Sequence, residues 1–412
     1  MDADALRRTR DEIIRLAGGG LSWVNFATRV GEVVRRAIPF DRNCWHTVDP
    51  GTVLFTGSLN KDVGCSGSWL AEHEYVIDDV NRWWFLAHSG RHAGATSLAT
   101  HGDMSRSARH RSHVAYGIGD ELRGSFVADG TYWAAVGFLR DADRPWFAED
   151  DVRFLAALSE PIAHGFRRTL VTSAVSPETA AGTDAHAGAA IEPGAEAQTG
   201  AVAEIDVVSA RDGPGVIVFD EAGKGVSISP AAERWIAQLV EEPPPESPLE
   251  SKMVQAVAAR ARTLTSDGDP LEVGARSRVR TRSGSWLLLY GTRLSGSADG
   301  QIVVIVQPAS PSEVAPLVAL AYGLTERERQ VTRLCIQGRS TKQIARALHM
   351  SPYTVQDHLK AIFEKTGVGT RGELVGQVFL EHYVPRWNSL TDVPAGWSGW
   401  AAPDITRPID GL

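Results

Sequence analysis

Four helix-start signals crowded between Thr325 and Glu373 constrain this chain more than any other feature. Three are capping boxes, in which a Ser or Thr N-cap is followed three residues later by Glu or Gln: Thr325–Glu328, Ser340–Gln343 and Thr370–Glu373. The fourth is Ser351-Pro352, an N-cap with proline at the first helical position. The pattern predicts short helices joined by tight turns, and therefore an all-α module.

The spacing inside this module indicates a helix-turn-helix arrangement. The first helix is expected to end at Gly338, and only His349 and Met350 separate the second helix from Ser351. In this arrangement the second helix of the pair enters the DNA major groove.

The helix that starts at Ser351 is amphipathic at the helical period. Its apolar arc contains Val355, Leu359, Ile362 and Phe363. Its polar arc contains Tyr353, Gln356, Asp357, Lys360 and Glu364. For an isolated helix such a polar arc is usually a solvated surface, but the neighbouring helices favour a surface that reads base edges.

The stretch LTERERQVTRLCIQGRSTKQIARALHMSPYTVQDHLKAIFEKTGVGTRGELV resembles the LuxR-type DNA-binding domain. The shared pattern runs L-T-x-R-E, then G-x-S-x-x-x-I-A, then S-x-x-T-V-x-x-H. The resemblance implies that residues 352–366 form the recognition helix. It also implies that the helix from Arg371 carries a homodimer contact, with Val378 and Phe379 as candidates.

The resemblance places Gln356, Asp357 and Lys360 at base edges, and the helical wheel independently turns all three outward. Gln can bind adenine, Asp can accept from cytosine and Lys can donate to guanine. The expected contacts to the DNA backbone are Thr341, Lys342, Thr354 and Lys365. The family usually has Lys after the Thr-Val pair, where this chain has Gln356, so its operator is expected to differ.

The charge distribution supports double-stranded DNA as a partner, although the chain as a whole is acidic. The net charge is −8, yet residues 325–383 contain nine Lys/Arg and six Asp/Glu. A module of charge +3 is therefore attached to a body of charge −11, and a polyanion responds to the local charge.

Composition and pattern divide the 412 residues into a multidomain chain. The expected units are an α+β GAF-like sensor domain (1–170), a flexible linker (171–210), an α+β PAS-like domain (211–310), a connecting helix (311–323), the all-α four-helix helix-turn-helix domain (324–384) and a Trp/Pro-rich tail (385–412). The linker is assigned because residues 171–203 contain no Leu, Met, Phe, Trp or Tyr.

The two sensor assignments rest on sequence patterns. Residues 1–170 resemble the GAF-like sensors that precede such DNA-binding domains in actinobacterial regulators, through AIPFD at 37–41 and a closing helix with the spacing F-x-x-x-D-x-x-x-L-x-x-L. The stretch GVIVFDEAGKGVSISPAAERWI resembles a PAS-type domain. Domains of both kinds hold small molecules or join subunits.

Three features of these regions have a functional and a plainer interpretation. Trp83, Trp84 and Phe85 could wall an apolar ligand pocket, but an ordinary core or a subunit interface is favoured. The strand with Arg276, Arg278, Arg280 and Arg282 is expected to be a solvated edge strand rather than an anion site. Cys44 and His46 share a strand face and are expected to be buried filler rather than a thiol sensor or haem ligand.

The sequence offers no catalytic motif. It contains no Walker A loop, no G-x-S-x-G and no H-E-x-x-H, and its three cysteines are too scattered for a closed metal site. We expect a cytoplasmic transcriptional regulator that is not an enzyme and has no membrane contact, with no cofactor indicated and RNA polymerase as a candidate partner. The alternatives are a constitutive DNA-binding factor whose sensor-like domains only oligomerise, and a sensor domain with residual enzymatic activity.

Overall fold

The computed structural model describes residues 3–172, 213–264, 274–296 and 300–376. The first region is mixed α and β. Its helices are α1 (Ala3–Ala17), α2 (Trp23–Arg35), α3 (Gly67–Ala71), α4 (Trp83–His88), α5 (Thr96–Ala99), α6 (Ala108–His113), α7 (Glu149–Ala157) and α8 (Ser159–Thr172). Its strands are β1 (Arg42–Val48), β2 (Phe55–Lys61), β3 (Ala93–Ala95), β4 (Ile118–Ala128) and β5 (Thr131–Asp141).

The N-terminal helical run is two helices, because three consecutive glycines interrupt it at residues 18–20, and Gly20 adopts a left-handed φ of 68°. Helix α8 packs across both helices and across β4. Gly165 of α8 lies so close to Phe26 of α2 that a methyl group there would sit 1.9 Å from the ring. Glycine at this position therefore sets the distance between the two helices.

The second region contains a five-stranded antiparallel sheet with helices on one face. Its elements are β6 (Gly215–Phe219), β7 (Gly225–Ile228), α9 (Pro230–Ile236), β8 (Glu241–Glu242), α10 (Lys252–Thr263), β9 (Arg276–Arg280), β10 (Trp286–Arg293) and β11 (Ile302–Pro308). The sheet order is β7-β6-β11-β10-β9. Both regions combine helices with a sheet, as the α+β assignments predicted, and a GAF or PAS fold stays a prediction for either region.

The two regions are packed together rather than held apart. The short strand β8, from the second region, pairs in parallel with β2 of the first region. The first sheet therefore has six strands in the order β3-β4-β5-β1-β2-β8. Helix α10 packs on α3 and β2. At Gly67 the approach is so close that a Cβ would meet the Glu250 carbonyl oxygen at 2.0 Å. A single hydrophobic cluster contains buried residues of both regions.

Two arginines of β9, Arg278 and Arg280, belong to this interface, so the prediction of a solvated strand is wrong for them, whereas Arg276 is exposed. Arg278 binds the buried carboxylate of Asp49, and Arg280 donates to the Leu170 carbonyl (3.0 Å) while its guanidinium lies over the Trp286 ring. The side chains of Arg278 and Arg280 therefore contact other parts of the chain instead of solvent, and the local sequence of β9 contains no signal for these contacts.

The C-terminal described part is helical: α11 (Pro311–Ala321), α12 (Glu326–Ile336), α13 (Thr341–Ala347), α14 (Pro352–Thr366) and α15 (Arg371–Val375). Helix α11 packs against α8, and one hydrophobic cluster runs from the first region through α11 into α12–α14. Arg278 also donates to the Glu313 carbonyl of α11 (3.1 Å). The helical module is therefore fixed to the body through α11.

Within the described ranges, no helix is long and apolar enough to cross a membrane, and no group of three or more His, Cys, Asp or Glu side chains could hold a metal ion. The predicted tail at 385–412, nearly all of the predicted linker and the candidate dimer residues Val378 and Phe379 lie outside the described residues.

Candidate nucleic-acid interface

The predicted helix starts in the C-terminal module are present with their caps. At Thr325 and Ser340 both halves of the capping box form: the N-cap N–H donates to Glu328 (2.6 Å) or Gln343 (2.8 Å), and the N-cap hydroxyl accepts from the same residue's N–H. At Thr370 the hydroxyl accepts from the Glu373 N–H (3.1 Å). Local sequence alone thus sets where these helices begin.

Helices α12, α13 and α14 pack around a small apolar core. The fully buried residues of this core are Val331, Ile344, Val355, Ile362 and, from α15, Leu374. Val355 and Ile362 lie on the predicted apolar arc of α14. This core fixes the angle at which α14 is presented to solvent.

The turn between α13 and α14 depends on one residue in an unusual conformation. His349 has a left-handed φ of 53°, and the Met350 N–H returns to the Ala345 carbonyl (2.9 Å). The hydroxyl of Ser351 then caps α14 by accepting from the Thr354 N–H (3.0 Å). Only Leu348, His349, Met350 and Ser351 lie between α13 and α14, which gives the tight connection of a helix-turn-helix.

The outward face of α14 carries the three predicted base-reading residues. Gln356, Asp357 and Lys360 are all exposed, and Tyr353 at the start of the helix is 80% exposed. Val355 and Leu359 occupy the opposite, buried side. The geometry therefore leaves the amide, carboxylate and ammonium groups available to a partner.

The four predicted backbone contacts differ in their surroundings. Lys342 and Thr354 are exposed, whereas Thr341 is half-buried and accepts from Arg371 Nη2 (3.3 Å). The ammonium of Lys365 donates to Glu328 Oε2 (2.7 Å) and to the Gly323 carbonyl (3.2 Å). Lys365 therefore ties α14 to the start of α12 in this structure.

Two basic residues next to this face were missed by the sequence analysis. Arg346 and His349 line a groove of about 750 Å³ with Lys342, Ser351 and Pro352, beside the N-terminus of α14. The spacing of Lys342 and Arg346, four residues apart on one helix, is the signal that could have identified Arg346. The groove brings three basic side chains to the end of the helix where the partial charge is positive.

A second groove runs along the C-terminal half of α14. It has a volume of about 520 Å³ and is lined by Leu359 and Phe363 together with Gln356 and Lys360, and it is closed by the loop at 367–369. Two of the three predicted base-reading residues thus border a mostly apolar groove.

The candidate ligand residues of the first region differ in their burial. Trp83 is buried, donates to the Val136 carbonyl (2.9 Å) and stacks under the Arg123 guanidinium (3.7 Å to the ring centre). Trp84 is half-buried, and Phe85 is 43% exposed. Helix α4 therefore turns the three side chains in different directions.

Arg123 belongs to a chain of buried charges that lies against Trp83. Arg123 binds Glu74 (2.8 Å) and Glu121 (3.0 Å), while Arg109 binds Glu121 (2.7 Å) and the buried Asp79. Burial raises the pKa of Glu121, but the guanidinium groups of Arg123 and Arg109 outweigh it and hold this pKa far below its usual range. The network is a structural support, because every charge in it has a partner.

Cys44 and His46 are both buried on the same face of β1. Burial raises the pKa of the Cys44 thiol and lowers the pKa of His46, so both groups are neutral at pH 7. A neutral, enclosed thiol is a poor nucleophile. The ring of His46 contacts the rings of Phe55 (4.6 Å between centres) and Trp83 (5.1 Å).

Helices α12, α13 and α14, with their tight turn and exposed polar helix, define a helix-turn-helix domain. Residues 323–377 match the family described as bacterial regulatory proteins of the luxR type. Over 52 residues the chain is 42% identical to the spore germination protein GerE of Bacillus subtilis, a match that covers 13% of this chain and 70% of that protein. The chain belongs to the luxR family.

Other relatives match the same module. The chain is 44% identical over 61 residues to a putative HTH-type transcriptional regulator of Aeromonas salmonicida, covering 15% of this chain and 31% of that protein. It is 45% identical over 66 residues to the transcriptional regulatory protein UhpA of Salmonella typhimurium, covering 15% and 34%. The chain spans about a third of the length of these two proteins.

Proposed function

We propose that this chain is a one-component, sequence-specific DNA-binding transcriptional regulator. The observation that carries the proposal is the exposure of Gln356, Asp357 and Lys360 on the outer face of α14, in a luxR-family module. Similar proteins are named as transcriptional regulators, which supports the assignment of this chain to the same class of protein. No enzymatic role is proposed.

In this proposal the three exposed side chains of α14 read bases and the basic groove positions the backbone. Gln356 binds an adenine, Asp357 accepts from a cytosine amino group and Lys360 donates to a guanine. Lys342 and Arg346 neutralise phosphates next to the N-terminus of α14, with Thr354 as a neutral donor. The chain acts as a homodimer on a two-fold symmetric site, with the predicted contacts Val378 and Phe379.

Selection of bound duplexes from a random-sequence library tests the proposal. The purified chain should enrich a two-fold symmetric motif, and Gln356→Ala or Lys360→Ala should relax it by about 1–3 kcal/mol at the position each side chain reads. Gln330→Ala is the matched control, because this glutamine lies on α12 and bonds Glu326 within its own helix. Enrichment of the same motif by all variants would contradict the assignment of α14 as the reading helix.

We further propose that the two regions before α11 are GAF-like and PAS-like sensors whose ligand or partner biases DNA binding. The first sheet supplies a reason: both ring nitrogens of His46 and the Oδ1 of Asn60 are buried with no hydrogen-bond partner among the described residues. Cross-strand register places Cys44 beside Asn60 and His46 beside Ser58 on one face. Buried polar groups without partners are costly, so a small molecule with both a donor and an acceptor would stabilise this face.

The alternative of a constitutive factor is favoured by one observation, the continuous core that joins both regions to the helix-turn-helix domain. Thermal unfolding with a panel of small hydroxyl- and carbonyl-bearing metabolites separates the two. A compound that binds only the folded chain raises the melting temperature, and His46→Phe should abolish that rise. A melting temperature unchanged by every compound would favour the constitutive factor.

A further inference from the structure

Tyr353 has the largest exposed fraction of the large apolar side chains that the structure describes. It is 80% exposed, whereas Val355 and Leu359 of the same helix are buried. A single exposed ring is common on a protein surface, so its position decides what it can do. Tyrosine is enriched where a protein meets a partner, because its ring is apolar while its hydroxyl is polar.

Tyr353 lies on the outward face of α14, one turn nearer the N-terminus than the predicted base contacts. It precedes Gln356 by three residues, Asp357 by four and Lys360 by seven. These spacings place side chains on one face of a helix, and helical side chains lean toward the N-terminus. In a helix-turn-helix the N-terminal residues of the recognition helix contact base edges. The ring therefore projects at the end of α14 where bases are read.

The other side chains on this face leave one feature of the major groove without a partner. Gln356, Asp357 and Lys360 present an amide, a carboxylate and an ammonium, which pair with the donors and acceptors of the bases. The C5 methyl group of thymine is different, because it is recognised by apolar contact. Tyr353 is the one residue of the predicted polar arc that carries a ring, and its ring supplies an apolar surface.

The charge of the outward face increases the importance of such a contact. One ammonium, on Lys360, stands against two carboxylates, on Asp357 and Glu364, so the four polar side chains that accompany Tyr353 have a net charge of −1. Attraction to phosphates therefore comes from the groove that contains Lys342 and Arg346. Phosphate contacts position the protein but carry no sequence information. Specificity has to come from contacts at base edges.

We infer that the ring of Tyr353 packs against the C5 methyl group of a thymine and determines specificity for that base. The inference rests on the proposed DNA-binding function and adds a contact to it. The family pattern S-x-x-T-V-x-x-H leaves position 353 open, so this contact is a property of the residue that stands in this chain. Burial of one methyl group changes an affinity by about fourfold.

Binding of the full chain to duplexes that contain deoxyuridine tests the inference, because deoxyuridine lacks only the methyl group of thymidine. The duplexes carry the motif obtained by library selection, with its thymines replaced one position at a time at a fixed salt concentration. For the wild type, replacement at one position should weaken binding about fourfold. Tyr353→Ala should bind the thymine and uracil duplexes equally, whereas Tyr353→Phe keeps the ring and should show the wild-type loss.

Tyr116→Ala is the matched control, because Tyr116 is a tyrosine of the first region that is 59% exposed. It should show the same loss of affinity on the uracil duplex as the wild type. Because Tyr353 is exposed, its replacement should leave the melting temperature of the chain unchanged, which separates a lost base contact from a lost fold.

Three outcomes would overturn the inference. The first is a motif without thymine, or one in which no thymine replacement weakens wild-type binding. The second is a loss on the uracil duplex that persists in Tyr353→Ala, which would assign the methyl contact to another residue. The third is a Tyr353→Phe variant that loses affinity for every duplex alike with no effect of uracil, which would show that the hydroxyl donates to a phosphate instead. A selection that enriches no motif would overturn the proposed function itself, and this inference with it.

Discussion

The carboxylate of Asp49 is fully buried and is bound on both oxygens by Arg278, at 2.8 Å from Nε and 2.5 Å from Nη2. Asp49 belongs to the turn after β1, and Arg278 lies 229 residues later in β9. The same guanidinium donates to the Glu313 carbonyl of α11. One side chain therefore joins the first region, the second region and the helix that leads to the DNA-binding module.

The buried ion pair between Asp49 and Arg278 predicts that Asp49→Asn strongly lowers the free energy of unfolding. Removing one partner of a buried ion pair leaves the other charge without compensation. We expect the free energy of unfolding to fall by about 2–4 kcal/mol, measured by urea denaturation of the full chain. Asp78→Asn is the control, because Asp78 pairs with Arg82 while 93% exposed, and it should cost less than about 0.5 kcal/mol. Equal losses of unfolding free energy in the two variants would contradict a stabilising role of the Asp49–Arg278 ion pair.

His113 predicts a pH dependence of stability. Burial lowers the pKa of His113 to about 4, below the value of about 6.5 expected in the unfolded chain. The unfolded chain therefore takes up a proton first, and stability is lost as the pH falls from 6.5 toward 4, by up to about 3 kcal/mol from this group. His113→Phe keeps an aromatic ring against Trp69, whose centre is 4.8 Å from the imidazole.

The measurement is the difference in unfolding free energy between wild type and His113→Phe at several pH values. The variant should gain relative to wild type as the pH falls, because it has no proton to take up. His88→Gln, at an exposed position, should follow the wild-type curve. Parallel curves for wild type and His113→Phe would show that this histidine does not set the acid limit.

The close approach of Gly165 to Phe26 predicts that Gly165→Ala is strongly destabilising. The Phe26 ring is buried and packs edge-on against Phe166, at 5.2 Å between ring centres, so it cannot move aside. We expect a loss of about 2–3 kcal/mol of unfolding free energy. Gly372→Ala in α15 should instead stabilise by up to about 1 kcal/mol, because the nearest atom to its Cβ would be 3.9 Å away.

Helix bounds that depend on local signals can be predicted from the sequence, whereas contacts between distant segments cannot. The bounds of α14, Pro352–Thr366, follow from a cap, a proline and a terminal glycine, all within the helix or next to it. Asp49 and Arg278 carry no comparable signal, because their pairing depends on how two sheets meet. The close approach of Gly67 to Glu250 could not be predicted either. Glycine permits this approach, but the sequence around Gly67 does not indicate which residue it will contact.

In the DNA-binding module, too, the sequence predicts which side chains are exposed but not which contacts they make with neighbouring helices. Periodicity correctly placed Gln356, Asp357 and Lys360 outside, since exposure follows from the helical phase. It could not show that Lys365, equally exposed by phase, reaches across to Glu328. Contacts between neighbouring helices depend on their crossing, which the pattern of one helix does not contain.

Lys365 and Lys342 are therefore predicted to differ in their effect on DNA binding, although both were expected to bind phosphates. Lys342→Ala removes an exposed cation and should reduce the slope of log K against log salt by about 1. Burial raises the pKa of Glu328, but the hydrogen bonds from Lys365 and from the Thr325 N–H outweigh it and lower this pKa overall. Lys365→Ala should therefore leave the salt slope nearly unchanged and cost about 1 kcal/mol of stability near neutral pH.

The stability cost of Lys365→Ala should also depend on pH. Because the pKa of Glu328 is lowered by folding, its stabilisation is present above the unfolded value of about 4.3 and is lost as the pH falls through the lower folded value. The cost of Lys365→Ala should accordingly shrink at low pH, while Lys342→Ala should be neutral to stability at every pH. If Lys365→Ala lowers the salt slope as much as Lys342→Ala, then Lys365 leaves Glu328 when DNA binds and contacts a phosphate, as the sequence analysis expected.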